Sequence, residues 1–374
     1  MNMKKEILNK QAPQLLSFKI IEVLPVRTQA IVKKRFGLED NKPKTLEAVG
    51  QDYKVTRERV RQIIESALKT IKKQPILETI GGFVNMSKSL LKESGGLEEE
   101  SEFLRKIERK LISEKDAKMA GNLSAIRFLL TLDPGFVFEE EDNSNYGFWH
   151  LAELSKEKID KNMKVFEKYF KDKKEAVVLD EVYSWAKKNI SNKINKEELQ
   201  AYFRVSKGIG MNPFGEYGLF DWAEIDPSGT RDRAYMVMKH AGQPMHFSEI
   251  TDLLNEINKS PIYPRLTSNS WQKQVCIQTV HNELIRDSRF VLIGRGIYAL
   301  KEKGYKPGKI IDVIKDVLQE AGKPMKLEDI IKEVQKRRIA KDNTIILNLN
   351  NKQYFKKLPN KYYTLIKPYK ILEV

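Results

Sequence analysis

One short stretch, Thr56, Arg57, Glu58, Arg59, Arg61 and Gln62, has the residue types and spacing to read a base sequence. Arg57, Glu58, Arg61 and Gln62 are spaced i, i+1, i+4, i+5. In a helix this gathers them on one side of the first two turns. An arginine can hold guanine O6 and N7 through two hydrogen bonds. A glutamate accepts from cytosine N4, and a glutamine pairs with adenine. Arg59, between them, is better placed for a phosphate. The plainer reading is a solvated basic helix face, and the spacing alone leaves both readings open.

These side chains need a helix under them and a brace behind it. Thr56 is placed to N-cap the helix RERVRQIIESALKTIKK. Val60, Ile63, Ala67, Leu68 and Ile71 recur along it at helical spacing, so that stripe faces a core. Thr45 caps a preceding helix over Leu46–Val49, with Glu47 in its first turn, and Gly50 to Lys54 reads as a turn. Upstream, residues 14–35 form two short helices broken near Pro25, with Leu15, Leu16, Ile20, Ile21 and Leu24 on one face. A helix whose first turns enter the major groove while its predecessor crosses the backbone is a recognition helix.

The words RFGL, TLEAVG, VTRERVRQI and ESALKTIKK resemble region 4 of the sigma-70 family over about residues 20–73. That resemblance implies a helix-turn-helix that reads a promoter −35 element and packs on the β flap of RNA polymerase. It places the base-reading positions on Arg57, Glu58, Arg61 and Gln62. Ile64 departs from the family, which usually has Glu there; the expected effect is on helix-surface contacts and not on the reading face. Nothing in the sequence resembles the family's β′-clamping and −10-melting region. The chain is therefore expected to be incomplete as a sigma factor.

The rest of the chain repeats itself. A helix–turn–helix signature recurs at 90–107, 237–254 and 317–334. A closing strand with an aromatic recurs at 145–154, 216–225, 295–303 and 360–368. Three helices and a two-stranded wing make a winged helix-turn-helix. The expected fold class is mainly α, with small β-wings: a helix-turn-helix at 1–74, then winged units at 75–157, 158–226, 227–304 and 305–374. Asp226-Pro227-Ser228-Gly229 reads as an exposed linker. The third unit, with AGQPMHFSEI and RFVLIGRGIYAL, resembles the HARE-HTH domain of the polymerase delta subunit and of chromatin and restriction proteins. Its DNA-facing candidates are Lys273, Gln278, Asn282 and Arg286 around helix three, with His281 beside them, and Arg289 and Arg295 at the wing. Winged helices serve DNA or protein, and the resemblance alone does not choose.

Charge divides the 374-residue chain, whose net is +16. Residues 1–74 carry 17 Lys and Arg against 8 Asp and Glu, net +9; residues 75–157 carry 10 against 16, net −6; the remainder holds +13. A polyanion suits the first and last parts. The acidic unit suits protein, either polymerase or its own neighbours. No apolar run approaches the ~18 residues a membrane helix needs, and Met1 to Lys10 carries no apolar leader core. The single cysteine, Cys276, reads as a buried small hydrophobe. His150, His240, His246 and His281 make no metal spacing with it or with one another. Trp149, Trp185, Trp222 and Trp271 read as core or interface residues. The Glu139–Asp142 acidic run reads as a solvated turn, and no phosphate-cradling glycine loop is present.

These features predict a non-enzymatic DNA-binding transcription factor, cytoplasmic and associated with the nucleoid. It would need no cofactor or metal, and its partners would be double-stranded DNA and RNA polymerase through the β flap. The alternative is an anti-sigma-like or DNA-architecture protein whose winged helices bind mainly protein. A nuclease targeted by winged helices would require an acid/His metal cluster that the sequence lacks.

Overall fold

A computed structural model describes residues 13–73, 75–111, 122–257, 274–305 and 307–366. It divides into two compact units, 1–210 with 217–220, and 211–216 with 221–374. The described elements are mainly helices with four small antiparallel sheets.

The first unit opens with α1 (Pro13–Ile21), α2 (Val26–Phe36), α3 (Leu46–Tyr53) and α4 (Arg57–Lys72). The break after α1 falls at Leu24-Pro25, as the fixed φ of proline dictates. Thr45 Oγ1 accepts from the Ala48 amide and Thr56 Oγ1 from the Arg59 amide, both at 3.1 Å, so both expected caps are present. The turn is shorter than the sequence suggests, because α3 continues through Gly50 to Tyr53. Gly50 permits this: a Cβ there would lie 2.6 Å from the Val55 carbonyl oxygen. Lys54, in the left-handed conformation, ends the helix.

Four winged units follow the same plan. The first has α5 (Gly81–Glu93), β1 (Leu97–Glu99), α6 (Glu100–Leu111), α7 (Leu123–Leu132), β2 (Phe136–Glu139) and β3 (Phe148–Leu151). The second has α8 (Lys156–Lys173), β4 (Val177–Val178), α9 (Leu179–Asn189), α10 (Lys196–Val205), β5 (Ile209–Met211) and β6 (Glu216–Leu219). The third has α11 (Thr230–Ala241), β7 (Met245–His246), α12 (Phe247–Ile257), α13 (Ile277–Arg286), β8 (Phe290–Gly294) and β9 (Ile297–Leu300). The fourth has α14 (Ile310–Ala321), β10 (Met325–Lys326), α15 (Leu327–Arg337), α16 (Asp342–Leu349), β11 (Phe355–Leu358) and β12 (Tyr362–Leu365). In every copy the last strand lies in the middle of a three-stranded sheet: β1-β3-β2, β4-β6-β5, β7-β9-β8 and β10-β12-β11. The third strand was not expected. At two or three residues it is too short to show an alternating pattern.

In the first unit the helix-turn-helix and the first winged unit share one core, running from Leu16, Ile20 and Ile31 through Val60 and Ile71 to Phe128, Trp149 and Leu151. α7 supplies the join. Phe128 meets Phe36 with ring centroids 5.0 Å apart, and Asn122 Nδ2 donates to the Leu38 carbonyl at 2.7 Å. The acidic winged unit thus packs on its own neighbour. In the second unit, the third and fourth winged units have separate cores, around Ile250, Val280 and Leu284 and around Ile330, Ile345 and Phe355.

Three expectations change. Pro227 is buried, beside buried Glu224 and Ile225, so residues 226–229 are not a wholly exposed linker. Cys276 is exposed, with Sγ donating to Gln278 Oε1 at 2.6 Å. It stands just ahead of α13, outside the apolar stripe that its neighbour Val275 joins. Ile64 is buried at 8% exposure, so the departure at this position packs the core. Trp149 is buried and Trp185 half-buried against Tyr169 at 4.3 Å; Trp222 is half-buried, and Trp271 lies outside the described residues.

Candidate nucleic-acid interface

α4 is sharply two-faced. Val60, Ile64, Ala67 and Ile71 are buried, while Arg57, Glu58, Arg59, Arg61 and Gln62 are all exposed. Burial of the stripe fixes the rotation of the helix. The five polar residues then stand together at its N-terminal end. Thr56, at the cap, is exposed beside them.

These exposed side chains are already ordered by one another. Arg61 Nε donates to Glu58 Oε2 at 2.9 Å and Arg61 Nη2 to Glu58 Oε1 at 2.6 Å. Arg61 Nη1 pairs with Glu65, one turn further on. The Glu58 contact raises the Arg61 pKa above its ordinary value, with Glu65 adding to it, and Arg61 holds the Glu58 carboxyl below its usual range. Arg59 Nη1 donates to Gln62 Oε1 at 3.3 Å, and Gln62 Nε2 to Glu58 Oε1 at 3.5 Å. A network across one turn limits the rotamers left to order when these side chains meet a ligand, which lowers the entropy cost of binding.

Behind the helix, α2 clamps α3. Asp52 accepts from Lys34 Nζ at 2.8 Å and from Lys44 Nζ at 3.0 Å, and these bonds hold its carboxyl below the usual range. Arg27 Nη2 donates to the Tyr53 carbonyl at 3.3 Å. These three cations are structural partners of α3 as well as contributors to the positive face. Sequence reading did not single them out, because their partners lie 8 to 26 residues away.

The match to known proteins falls on this element. Residues 20–73 match the family model described as Sigma-70, region 4. This segment is similar to sigma-70 region 4. Over 54 residues it is 44% identical to the RNA polymerase sigma factor SigA of Clostridium acetobutylicum, covering 14% of each chain. The SigA of Lactococcus lactis subsp. cremoris is 43% identical over 53 residues, 14% of this chain and 15% of its own. The principal sigma factor HrdD of Streptomyces coelicolor is 44% identical over 54 residues, 14% of this chain and 16% of its own. The chain thus spans about one-seventh of the length of these relatives, and the winged units stand on their own topology.

The other described candidates lie in the third winged unit. Gln278, Asn282 and Arg286 lie exposed along α13, and Arg295 is exposed at the wing turn. Lys273 lies outside the described residues. Arg289, expected beside the wing, is engaged inside its own unit: Nη2 donates to Asp232 and to Asp287, each at 2.6 Å. His281 stacks on Phe247 with centroids 4.5 Å apart, and His246 Nδ1 sits 2.6 Å from Ser248 Oγ, so both are packing residues. Among the described residues no group of three or more His, Cys, Asp or Glu is arranged to hold a metal ion. No described helix is long and apolar enough to cross a membrane.

Proposed function

We propose that this protein is a DNA-binding transcription factor that reads a −35-type promoter element with the N-terminal turns of α4. The observation that carries this is the division of α4 into a buried face and an exposed Arg57–Gln62 face, on a segment matching sigma-70 region 4. Arg57, Glu58, Arg61 and Gln62 read base edges, Arg59 takes a phosphate, and Thr56 fixes the first turn against the backbone. RNA polymerase is the protein partner, met through its β flap, and the protein works at the nucleoid. It acts without the remainder of a sigma factor, so it modulates initiation and does not melt DNA itself. Its role is binding, with no catalytic step.

Selection of bound duplexes from a randomised pool tests the reading. The full chain should enrich one motif, and Arg57→Ala/Arg61→Ala should enrich none while still retaining DNA at low salt. Enrichment of the same motif by both proteins would refute it.

A further inference from the structure

The four winged units share one topology, yet their third helices have opposite surroundings. α7 buries Ala125, Ile126, Phe128, Leu129, Leu130 and Leu132, more than one face of a helix, because it lies on the helix-turn-helix. Asn122 ties its start to the Leu38 carbonyl, and the Ser124 amide donates to Asn41 Oδ1 at 2.9 Å. α10 is equally consumed. It buries Leu199, Ala201, Tyr202, Phe203 and Val205 and sits on β1 of the first winged unit. Arg204 donates from Nε and Nη2 to Glu98, each at 2.6 Å, and Lys106 Nζ reaches the same buried carboxylate at 2.6 Å. The fit is close at Gly95, where a Cβ would lie 2.2 Å from the Glu198 side chain.

The third helices of the second compact unit are open. α13 buries only Val280 and Leu284. Gln278, Asn282 and Arg286, at i, i+4 and i+8, form an exposed polar row, flanked by Ile285 at 62% exposure and by the wing residues Leu292 and Arg295. α16 is open too: DNTIILNL carries no cation within the helix, has Asp342 in its first turn and exposes Leu347 at 70%, and the exposed lysines of its unit stand at the cap (Lys341) and along the wing (Lys352, Lys356 and Lys357).

We propose that α13 with the Arg295 wing is a second duplex-DNA surface, and that the third helices of the first two winged units are internal struts. The row on α13 has the residues a groove requires. Asn and Gln pair with adenine, Arg with guanine, and apolar Ile285 and Leu292 suit thymine methyl groups and sugars. The same elements in α7 and α10 cannot enter a groove without dismantling a core. α16 itself would bring an acid and a leucine to a groove, and the lysines of its unit stand off the helix, at its cap and along its wing, where they suit phosphate contact. The inference deepens the DNA-binding reading without depending on α4.

The experiment uses the full chain and three variants: Asn282→Ala/Arg286→Ala/Arg295→Ala, Asn343→Ala/Leu347→Ala as a control in α16, and Arg57→Ala/Arg61→Ala. Binding to an unselected duplex is titrated over salt, and capture of a second labelled duplex by protein held on an immobilised one is measured. The α13 variant should melt like the parent, lose second-duplex capture and flatten the salt slope by about two units, one per arginine. The α16 control should match the parent. The α4 variant should lose site preference and keep salt-dependent retention through α13, which separates failure of this inference from failure of the α4 reading. An α13 variant with the parent's slope and second-duplex capture would overturn the proposal, as would loss of capture in the α16 control.

Discussion

Arg61 is held in a fork by Glu58, with Nε and Nη2 donating at 2.9 and 2.6 Å to the two carboxylate oxygens. The guanidinium is planar with five donors, so one carboxylate on its Nε–Nη2 edge leaves the Nη1 donors and one Nη2 donor outside that fork. A guanine contact through Nη1 and Nη2 is compatible with this fork. Glu58 is thereby a buttress for Arg61, in addition to the cytosine contact proposed for it. Arg61→Ala should weaken binding to a selected site by roughly tenfold to a hundredfold while changing binding to unrelated duplexes much less. Competition titrations with the two duplexes give the ratio, and an unchanged ratio would remove Arg61 from the reading set.

Glu65 works against that contact. It draws on Arg61 Nη1, the donor that a bidentate guanine contact needs, and it adds a negative charge one turn below the reading face. Glu65→Gln should therefore bind DNA a few-fold more tightly, most clearly at low salt where exposed charges are least screened. Filter binding at two ionic strengths checks this. Weaker binding by the variant would show that Glu65 positions Arg61 for DNA.

In the proposed interface Arg59 takes a phosphate and bears on affinity alone. Arg59→Ala should weaken all duplexes alike and flatten the salt slope by about one unit. A change of preferred sequence in this variant would transfer Arg59 from phosphate contact to base reading.

The reading helix depends on a distant strut. Phe128, fully buried on α7, packs on Phe36 and closes the core shared with α1 and α2. Phe128→Ala should cost about 3–5 kcal/mol. Truncation after residue 73 should expose the α1 and α2 apolar faces and impair folding of the remaining fragment. Thermal melting of the variant and the solution state of the fragment are the measurements. A soluble, cooperatively melting fragment would show that α7 is dispensable.

Buried charge at Glu98 makes the first compact unit sensitive to acid. Burial alone pushes this carboxyl up, but the bonds from Arg204 and Lys106 outweigh it and hold the carboxyl below its usual range. A depressed folded-state pKa contributes stability above the unfolded value, near 4.3 for Glu, that is lost as pH falls through the folded value. Melting temperature should therefore drop on acidification below about pH 4, and Glu98→Gln should flatten that part of the profile. The substitution also removes the Glu98 charge that faces Arg204 and Lys106, so it should cost about 3–5 kcal/mol at neutral pH. An acid limb identical in parent and variant would exclude Glu98 as a source of it.

Local signals made much of this legible in the sequence. Thr45 and Thr56 cap where their types and positions require, and the exposed Arg57–Gln62 face of α4 follows from its apolar stripe. The four winged copies follow from repeated helix-turn and closing-strand words. What was hidden depends on partners far along the chain. Asn122 binds Leu38 across 84 residues and Arg204 binds Glu98 across 106, and no periodicity within α7 or α10 announces such contacts. In the sequence Ile64 reads as a surface departure, because a single position carries no sign of the neighbour that covers it. The continuation of α3 through Gly50 was missed because glycine favours a turn, whereas here it serves a close approach to the Val55 carbonyl.

Footprinting the full chain on genomic DNA, with and without RNA polymerase, is the most direct test of the central claim. The account predicts protection of discrete sites sharing one motif. That protection should persist without polymerase, extend when polymerase is added, and vanish in Arg57→Ala/Arg61→Ala. Protection that is uniform along the DNA, or sites that remain in the variant, would contradict it.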